Sequence, residues 1–165
     1  MSKIFRKGQI ADIAAAFKLY EDRIRWMDEV NIKQWNTTDY LKYYPMSYFK
    51  QQAEIGNFYV IEDTEDGRVI GAVVLLSEDP RWDGCDYADT YYVHNLVTDV
   101  TKKGTGRMIL SEVESIARGE GKKCVRLDCS VDNEPLNIYY ESQGYMPFGE
   151  FWDGEYNGLR REKTL

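Results

Sequence analysis

Residues 91–107 read YYVHNLVTDVTKKGTGR. The first part, Tyr91 to Thr98, is rich in β-branched and aromatic side chains and predicts a strand. The last part, Lys102-Lys103-Gly104-Thr105-Gly106-Arg107, predicts a glycine turn into a helix, because Ile109, Leu110, Val113, Ile116 and Ala117 follow at helical spacing. Gly119 and Gly121 end that helix. Glycines let backbone N–H groups come close to an anion. The first turn of a helix also presents unpaired N–H groups and partial positive charge. Two lysines and an arginine gather there although the net charge of the chain is −7, a local reversal that suits a pyrophosphate. The turn is not a Walker A sequence, since no GxxxxGK[ST] is present, and position 109 is Ile where the dinucleotide fingerprint differs. By itself the motif also admits a solvated basic turn at a helix start.

Upstream, Lys3 to Arg6 predicts a first strand, and Ile10, Ile13, Ala14, Phe17, Ile24 and Met27 an amphipathic helix. Thr37 or Thr38 is expected to cap a second helix with Asp39 in its first turn. Pro45 breaks that helix, and Ser47 caps a continuation ending at Gly56. The period then changes: Phe58 to Ile61 and Val69 to Leu76 predict strands joined through Glu65-Asp66-Gly67. Ser77 to Asp89 is a polar loop, in which Trp82 is expected either as solvated surface or at the rim of a pocket.

Downstream, Cys124 to Ser130 predicts a strand, Pro135 marks the first turn of a helix, and that helix ends before Gly144. Tyr145 to Phe151 and Leu159 to Thr164 predict two closing strands. The order is strand, helices, three strands, helix, strand, helix, two strands. It predicts a mixed α/β sheet with crossover helices where neighbours run parallel.

Two stretches now stand in order: the glycine turn, and Asn133 followed by Tyr139-Tyr140 and Gln143-Gly144-Tyr145. Together they resemble the GNAT N-acetyltransferases from about Tyr91 to Phe148. Trp26, Gln34-Trp35 and Tyr44-Pro45 look similar to a bacterial branch of that family. The resemblance implies a central twisted mixed sheet of about six to seven strands flanked by about four helices. It implies a single domain over residues 1–165 that moves an acetyl group from acetyl-CoA directly onto a primary amine.

By position, the resemblance assigns the coenzyme A pyrophosphate to Lys102, Lys103, Gly104, Thr105, Gly106 and Arg107. It assigns the pantetheine arm to the backbone of His94, Asn95 and Leu96, with an N–H near Leu96 donating to the thioester carbonyl. Asn133 matches an asparagine that contacts the cofactor, and it equally suits the cap of the next helix. Tyr140 matches the tyrosine that protonates the departing thiolate, a task that suits a phenol protonated at neutral pH. Asp128 stands where some members carry a basic glutamate; its plainer reading is a pair with Arg126 on the same strand face. Tyr139, about 100° from Tyr140 around the helix, reads as structural, as do Trp26 and Trp35. Thr101 departs from the family's usual Gln or Arg, and Leu136 from its usual Ala.

Composition narrows the partners. A pI near 4.8 argues against nucleic acid and anionic membranes. No run approaches 20 apolar residues, and MSKIFRKGQ has no apolar signal core, so a cytoplasmic protein is expected. Cys85, Cys124 and Cys129 form no disulfide framework, and with His94 the sole histidine no metal site is expected. Asp79, Asp83, Asp86 and Asp89 favour a cationic small-molecule amine, with a protein N-terminus or lysine as the rival acceptor. Family analogy allows a homodimer through the last two strands. The competing functions are a non-catalytic acyl-CoA-binding or sensing module and a nucleotide-binding protein.

Overall fold

The computed structural model describes residues 2–85 and 89–165. Seven strands form one sheet in the order β1-β2-β3-β4-β5-β7-β6. They are β1 (Lys3–Lys7), β2 (Phe58–Asp63), β3 (Arg68–Leu76), β4 (Thr90–Thr98), β5 (Cys124–Ser130), β6 (Met146–Asp153) and β7 (Tyr156–Thr164). Among the described residues only the β4–β5 pair is parallel, and it carries the crossover helix α4 (Thr105–Gly119). The other helices are α1 (Ile13–Glu29), α2 (Tyr40–Tyr43), α3 (Met46–Glu54) and α5 (Glu134–Ser142). The mixed α/β expectation holds. Among the described residues there are five α-helices where about four were expected, because the second is a single turn.

Each face of the sheet has its own core. Ile109, Leu110, Val113 and Ala117 of α4 pack on Ile61, Ile70, Val73, Val125 and Leu127, with Tyr140 and Tyr145 beside them. Ile13, Ala16, Leu19 and Tyr20 of α1 and Phe49 of α3 pack on Phe58, Val60, Ala72, Val74 and Val97. β3 feeds both cores, which is why it reads as an unbroken apolar run instead of an alternating one. Full burial of each large aliphatic side chain contributes roughly 1.5–3 kcal/mol, so the α4 stripe alone fixes that helix to the sheet.

Local starts differ from expectation in the N-terminal third. Neither Thr37 nor Thr38 caps α2; both hydroxyls donate to the Gln34 carbonyl, and Asp39 takes the cap position with φ 50°. Pro45, not Ser47, precedes α3 at its cap position. Trp82 is fully buried, contrary to the surface or rim expectation. Its ring packs 5.2 Å from that of Phe148, with the Arg126 guanidinium over it at 4.6 Å. Asp79 accepts from the Arg81 N–H and closes a short turn at Pro80–Trp82, which folds the polar loop inward.

Candidate active site

The sheet parts at its centre. β4 and β5 pair only from Thr90↔Cys124 to Tyr92↔Arg126, although β4 continues to Thr98 and β5 to Ser130. Beyond Tyr92 the two strands diverge, and their facing edges form a notch. On its other side β4 carries a bulge: Ala72 pairs with Val97 and Val74 with His94, so Asn95 and Leu96 stand opposite Val73. A cleft of about 1560 Å³ runs through the notch. His94, Asn95, Leu96, all six residues from Lys102 to Arg107, Asp128, Asn133 and Tyr140 line it.

One end of the cleft is basic. Gly104 adopts φ 81° at the start of α4, a conformation that favours glycine. The Thr105 hydroxyl donates to the Lys102 carbonyl at 2.9 Å and tightens the turn. Gly106 lies close to Tyr139: a Cβ there would sit 3.3 Å from the Tyr139 hydroxyl. Tyr139 therefore packs on the glycine turn. Lys102 also reaches Asp63 at 3.3 Å. Arg23 of α1 donates to the Thr98 carbonyl and hydroxyl, both at 2.9 Å, and adds a cation at this end. Nothing in the turn motif pointed to Arg23, which is one of several charged residues on α1.

The other end mixes carboxylates with one arginine. Asp128 of β5 does not pair with Arg126, which is bonded to Glu162 at 2.7 Å. Its partners are Arg81 at 3.3 Å and the Tyr156 hydroxyl, which donates at 2.9 Å. Arg81 also meets Asp153 at 3.1 Å. Burial works against the Arg81 charge, yet Asp128, Tyr44, Tyr156 and Asp153 raise its pKa further above the guanidinium range. Asp153 and Glu155 line this end from the β6–β7 hairpin. Of the loop aspartates expected to face an acceptor, Asp79 is buried, and Asp83 and Asp89 are exposed away from the cleft lining. Asp86 lies outside the described residues. The inward fold on Trp82 presents Arg81 to the cleft, whereas Asp79, Asp83 and Asp89 do not line it.

Between the ends sit His94 and Tyr140. His94 Nε2 lies 2.6 Å from Asp79 Oδ2; an ionised carboxylate only accepts, so Nε2 carries the proton. Burial pushes the Asp79 carboxyl up, and the bonds from His94 and the Arg81 N–H more than offset it, leaving it below the usual range. Donor atoms of Asp79, His94 and Asp128 lie within 4.8 Å of one another. Two of the three already serve the Arg81 segment, one through its N–H and one through its guanidinium. Tyr140 is buried, with its ring 5.5 Å from Tyr139 and 6.2 Å from Tyr145. Among the described residues its hydroxyl makes no hydrogen bond, and burial raises its pKa far above the ordinary phenol value. The Cys129 thiol nearby is pushed up to about 12 by burial, which makes it a poor nucleophile.

Asn133 caps α5, accepting from the Leu136 N–H at 3.2 Å. Its amide donates to Gln34 at 2.7 Å, which ties the α1–α2 connection to the cleft floor. Sequence reasoning passed over Arg81 and Tyr156, and it named Gln34 only within the Gln34-Trp35 pattern, without a role. Asp79-Pro80 signals the helical turn that places Arg81; Tyr156 carried no local signal.

The acetyltransferase (GNAT) family model matches residues 18–145. YesJ of Bacillus subtilis, named as an uncharacterized N-acetyltransferase, is 26% identical over 147 residues, which span 84% of this chain and 78% of YesJ. Two solved structures share the fold. A GNAT family acetyltransferase from Listeria monocytogenes superposes with a TM-score of 0.80 at 22% identity, covering 99% of this chain and 95% of the other. The PaiA N-acetyltransferase from Thermoplasma acidophilum, solved with coenzyme A, superposes with a TM-score of 0.78 at 18% identity, covering all of both chains.

Proposed function

Because the chain belongs to the GNAT acetyltransferase family, and is by that membership an N-acetyltransferase enzyme, we propose that it moves an acetyl group from acetyl-CoA directly onto a cationic primary amine. The observation that carries this reading is the early end of the β4–β5 ladder, which leaves strand edge free between a basic glycine turn and a protonated tyrosine. The crystallised PaiA relative holds coenzyme A on the same fold.

In this reading backbone N–H groups of Lys102 to Arg107 hold the pyrophosphate, and His94 to Leu96 pair with the pantetheine arm. An N–H near Leu96 meets the thioester oxygen as negative charge develops there. Asp128 first takes a proton from the ammonium, directly or through water, which frees the nitrogen lone pair. The neutral nitrogen attacks the carbonyl carbon, the C–N bond forms and the C–S bond breaks. Tyr140 gives its hydroxyl proton to the departing thiolate, and the second proton shed by the new amide nitrogen restores the phenol. Asn133 supports the site as the cap of α5, beside the pantetheine path. Transfer is direct: the buried Cys129 thiol, protonated to about pH 12, is unsuited to an acyl-enzyme. Holding both reactants in line supplies much of the rate.

The acceptor is a small amine with positive charge. Asp128, Asp153 and Glu155 line the end of the cleft away from the glycine turn, beside Arg81, whereas Lys102, Lys103 and Arg107 outnumber Asp99 at the turn, so the balance of charge changes along the cleft. Such a cleft suits a donor carrying phosphates and an acceptor carrying an ammonium.

A thermal melt with acetyl-CoA, with ATP and NAD as controls, tests the donor assignment. Ligand at one hundred times Kd adds about 2.7 kcal/mol, roughly 5–10 °C for a domain of this size. A shift with acetyl-CoA alone is expected. No shift at millimolar acetyl-CoA overturns the reading, and a shift with ATP or NAD replaces it. Steady release of free thiol with an amine panel then separates an enzyme from an acyl-CoA sensor. A KM that responds neither to salt nor to amine charge removes the cationic acceptor.

A further inference from the structure

Midway along β4 the backbone enters a conformation that a strand does not need. Asn95 has φ 53°, a region that residues with a side chain enter at a cost. Strain of this kind persists only where the surroundings over-determine it, and it gathers at functional sites. The surroundings here are specific. Asn95 is buried, and both polar atoms of its side chain are engaged. Tyr48 donates to its Oδ1 at 2.9 Å, its Nδ2 donates to the Tyr40 hydroxyl, and Tyr20 donates to its main-chain carbonyl.

The three tyrosines come from three helices: Tyr20 from α1, Tyr40 from α2 and Tyr48 from α3. Burial raises the pKa of each, so all three stay protonated. Phenylalanine would fill the same apolar space. A hydroxyl buried without a partner is costly, so these hydroxyls and Asn95 account for one another. The anchor also reaches the cleft. Tyr40 and Tyr44 line it, and their rings lie 4.8 Å apart.

We propose that Asn95 is a positioning residue for the acyl carbonyl. Held by Tyr20, Tyr40 and Tyr48, it fixes the bulge so that the N–H of Leu96 is presented at the notch. It also ties that donor to α2, whose Tyr40 and Tyr43 line the cleft. A donor acts on developing charge only if it is already in place, with no reorganisation during the reaction. A bulge alone leaves the strand locally free to shift; the three tyrosines remove that freedom. This inference rests on the reading of the notch as the acyl site.

The test needs no acceptor. Acetyl-CoA and free coenzyme A are titrated calorimetrically into the wild type, Asn95→Gly and Tyr48→Phe. Glycine accepts the positive φ while deleting the side-chain anchors; Tyr48→Phe deletes one hydroxyl and keeps the ring. In Asn95→Gly the affinity for acetyl-CoA should fall about three- to tenfold, the worth of one hydrogen bond. Affinity for coenzyme A, which has no acyl carbonyl, should fall by clearly less, since it loses only what the change costs the pantetheine pairing of His94 to Leu96. The ¹³C signal of the bound thioester carbonyl should move toward that of free acetyl-CoA, and Tyr48→Phe should shift both readouts the same way by less. Equal losses for the two ligands, or no loss in either, with an unmoved carbonyl signal, make Asn95 merely structural and overturn the inference. Should Asn95→Gly fail to fold, an unchanged ratio of the two affinities in Tyr48→Phe does the same. A wild type that binds neither ligand removes the coenzyme A reading and this inference together; equal losses remove only the inference.

Discussion

At its basic end the cleft is built mainly on one run of chain, Lys102 to Arg107, where α4 begins, with Arg23 of α1 beside it. Its opposite end takes Arg81 from the loop after β3, Asp128 from β5, and Asp153 and Tyr156 from the β6–β7 hairpin. The first end is local, and in the proposed reading its backbone N–H groups would do the binding, so Thr101 takes no donor from it. The second is a set of side chains that hold one another in place, and each depends on segments far apart in sequence. A backbone cradle is robust to substitution and readable from a motif; a side-chain cluster is neither.

The sharpest break in this comparison comes at the point between the ends. Tyr140→Phe should leave acetyl-CoA affinity within about twofold and cut kcat by about a hundredfold or more, the usual worth of a positioned acid. Wild-type turnover in that variant takes Tyr140 out of the mechanism. At the side-chain end, Arg81→Met strips Asp128 and Asp153 of their shared cation. The protein should lose about 2 kcal/mol in chemical denaturation, as for a hydrogen bond to a charged group. Its kcat/KM for amines should fall while acetyl-CoA affinity holds. Equal effects at both ends would show that the two are not separate.

At the backbone end, Gly104→Ala puts a side chain on a residue with φ 81°, where nothing lies within 4 Å of the added Cβ. The expected loss is strain alone, about 1 kcal/mol, read as a drop of about 2–4 °C in Tm. The smallest effect is on pH dependence. The Asp79 carboxyl lies below its ordinary value in the folded state. Its contribution to stability is therefore complete above about pH 4 and is lost as pH falls through the ordinary carboxylate range toward the lower folded value. Asp79→Asn should flatten the acid limb of the stability profile by that one group and leave the neutral plateau's shape unchanged. An unaltered limb would mean that Asp79 does not hold its proton balance through His94.

Legibility followed the same division. The α4 stripe, the glycine turn and Pro135 in the first turn of α5 could be read because periodicity and backbone stereochemistry act within a few residues. The caps of α2 and α3 were misread. Thr37 and Thr38 spend their hydroxyls on Gln34, so a local preference lost to a nearby carbonyl. Trp82 was misplaced because its loop looked polar, while the cations that sandwich it, Arg126 and Arg160, come from β5 and β7.

What the sequence by itself determined is the class of fold, the order of its elements and the basic glycine turn before α4, since each depends on hydrophobic spacing or on glycine. What only the tertiary structure decided is where β4 leaves β5, how three tyrosines lock Asn95, and which partner Asp128 takes. Those features depend on long-range pairing and burial. A carboxylate at position 128 meets Arg81 rather than Arg126 only because the loop folds in on Trp82, and no spacing along the chain encodes that distance.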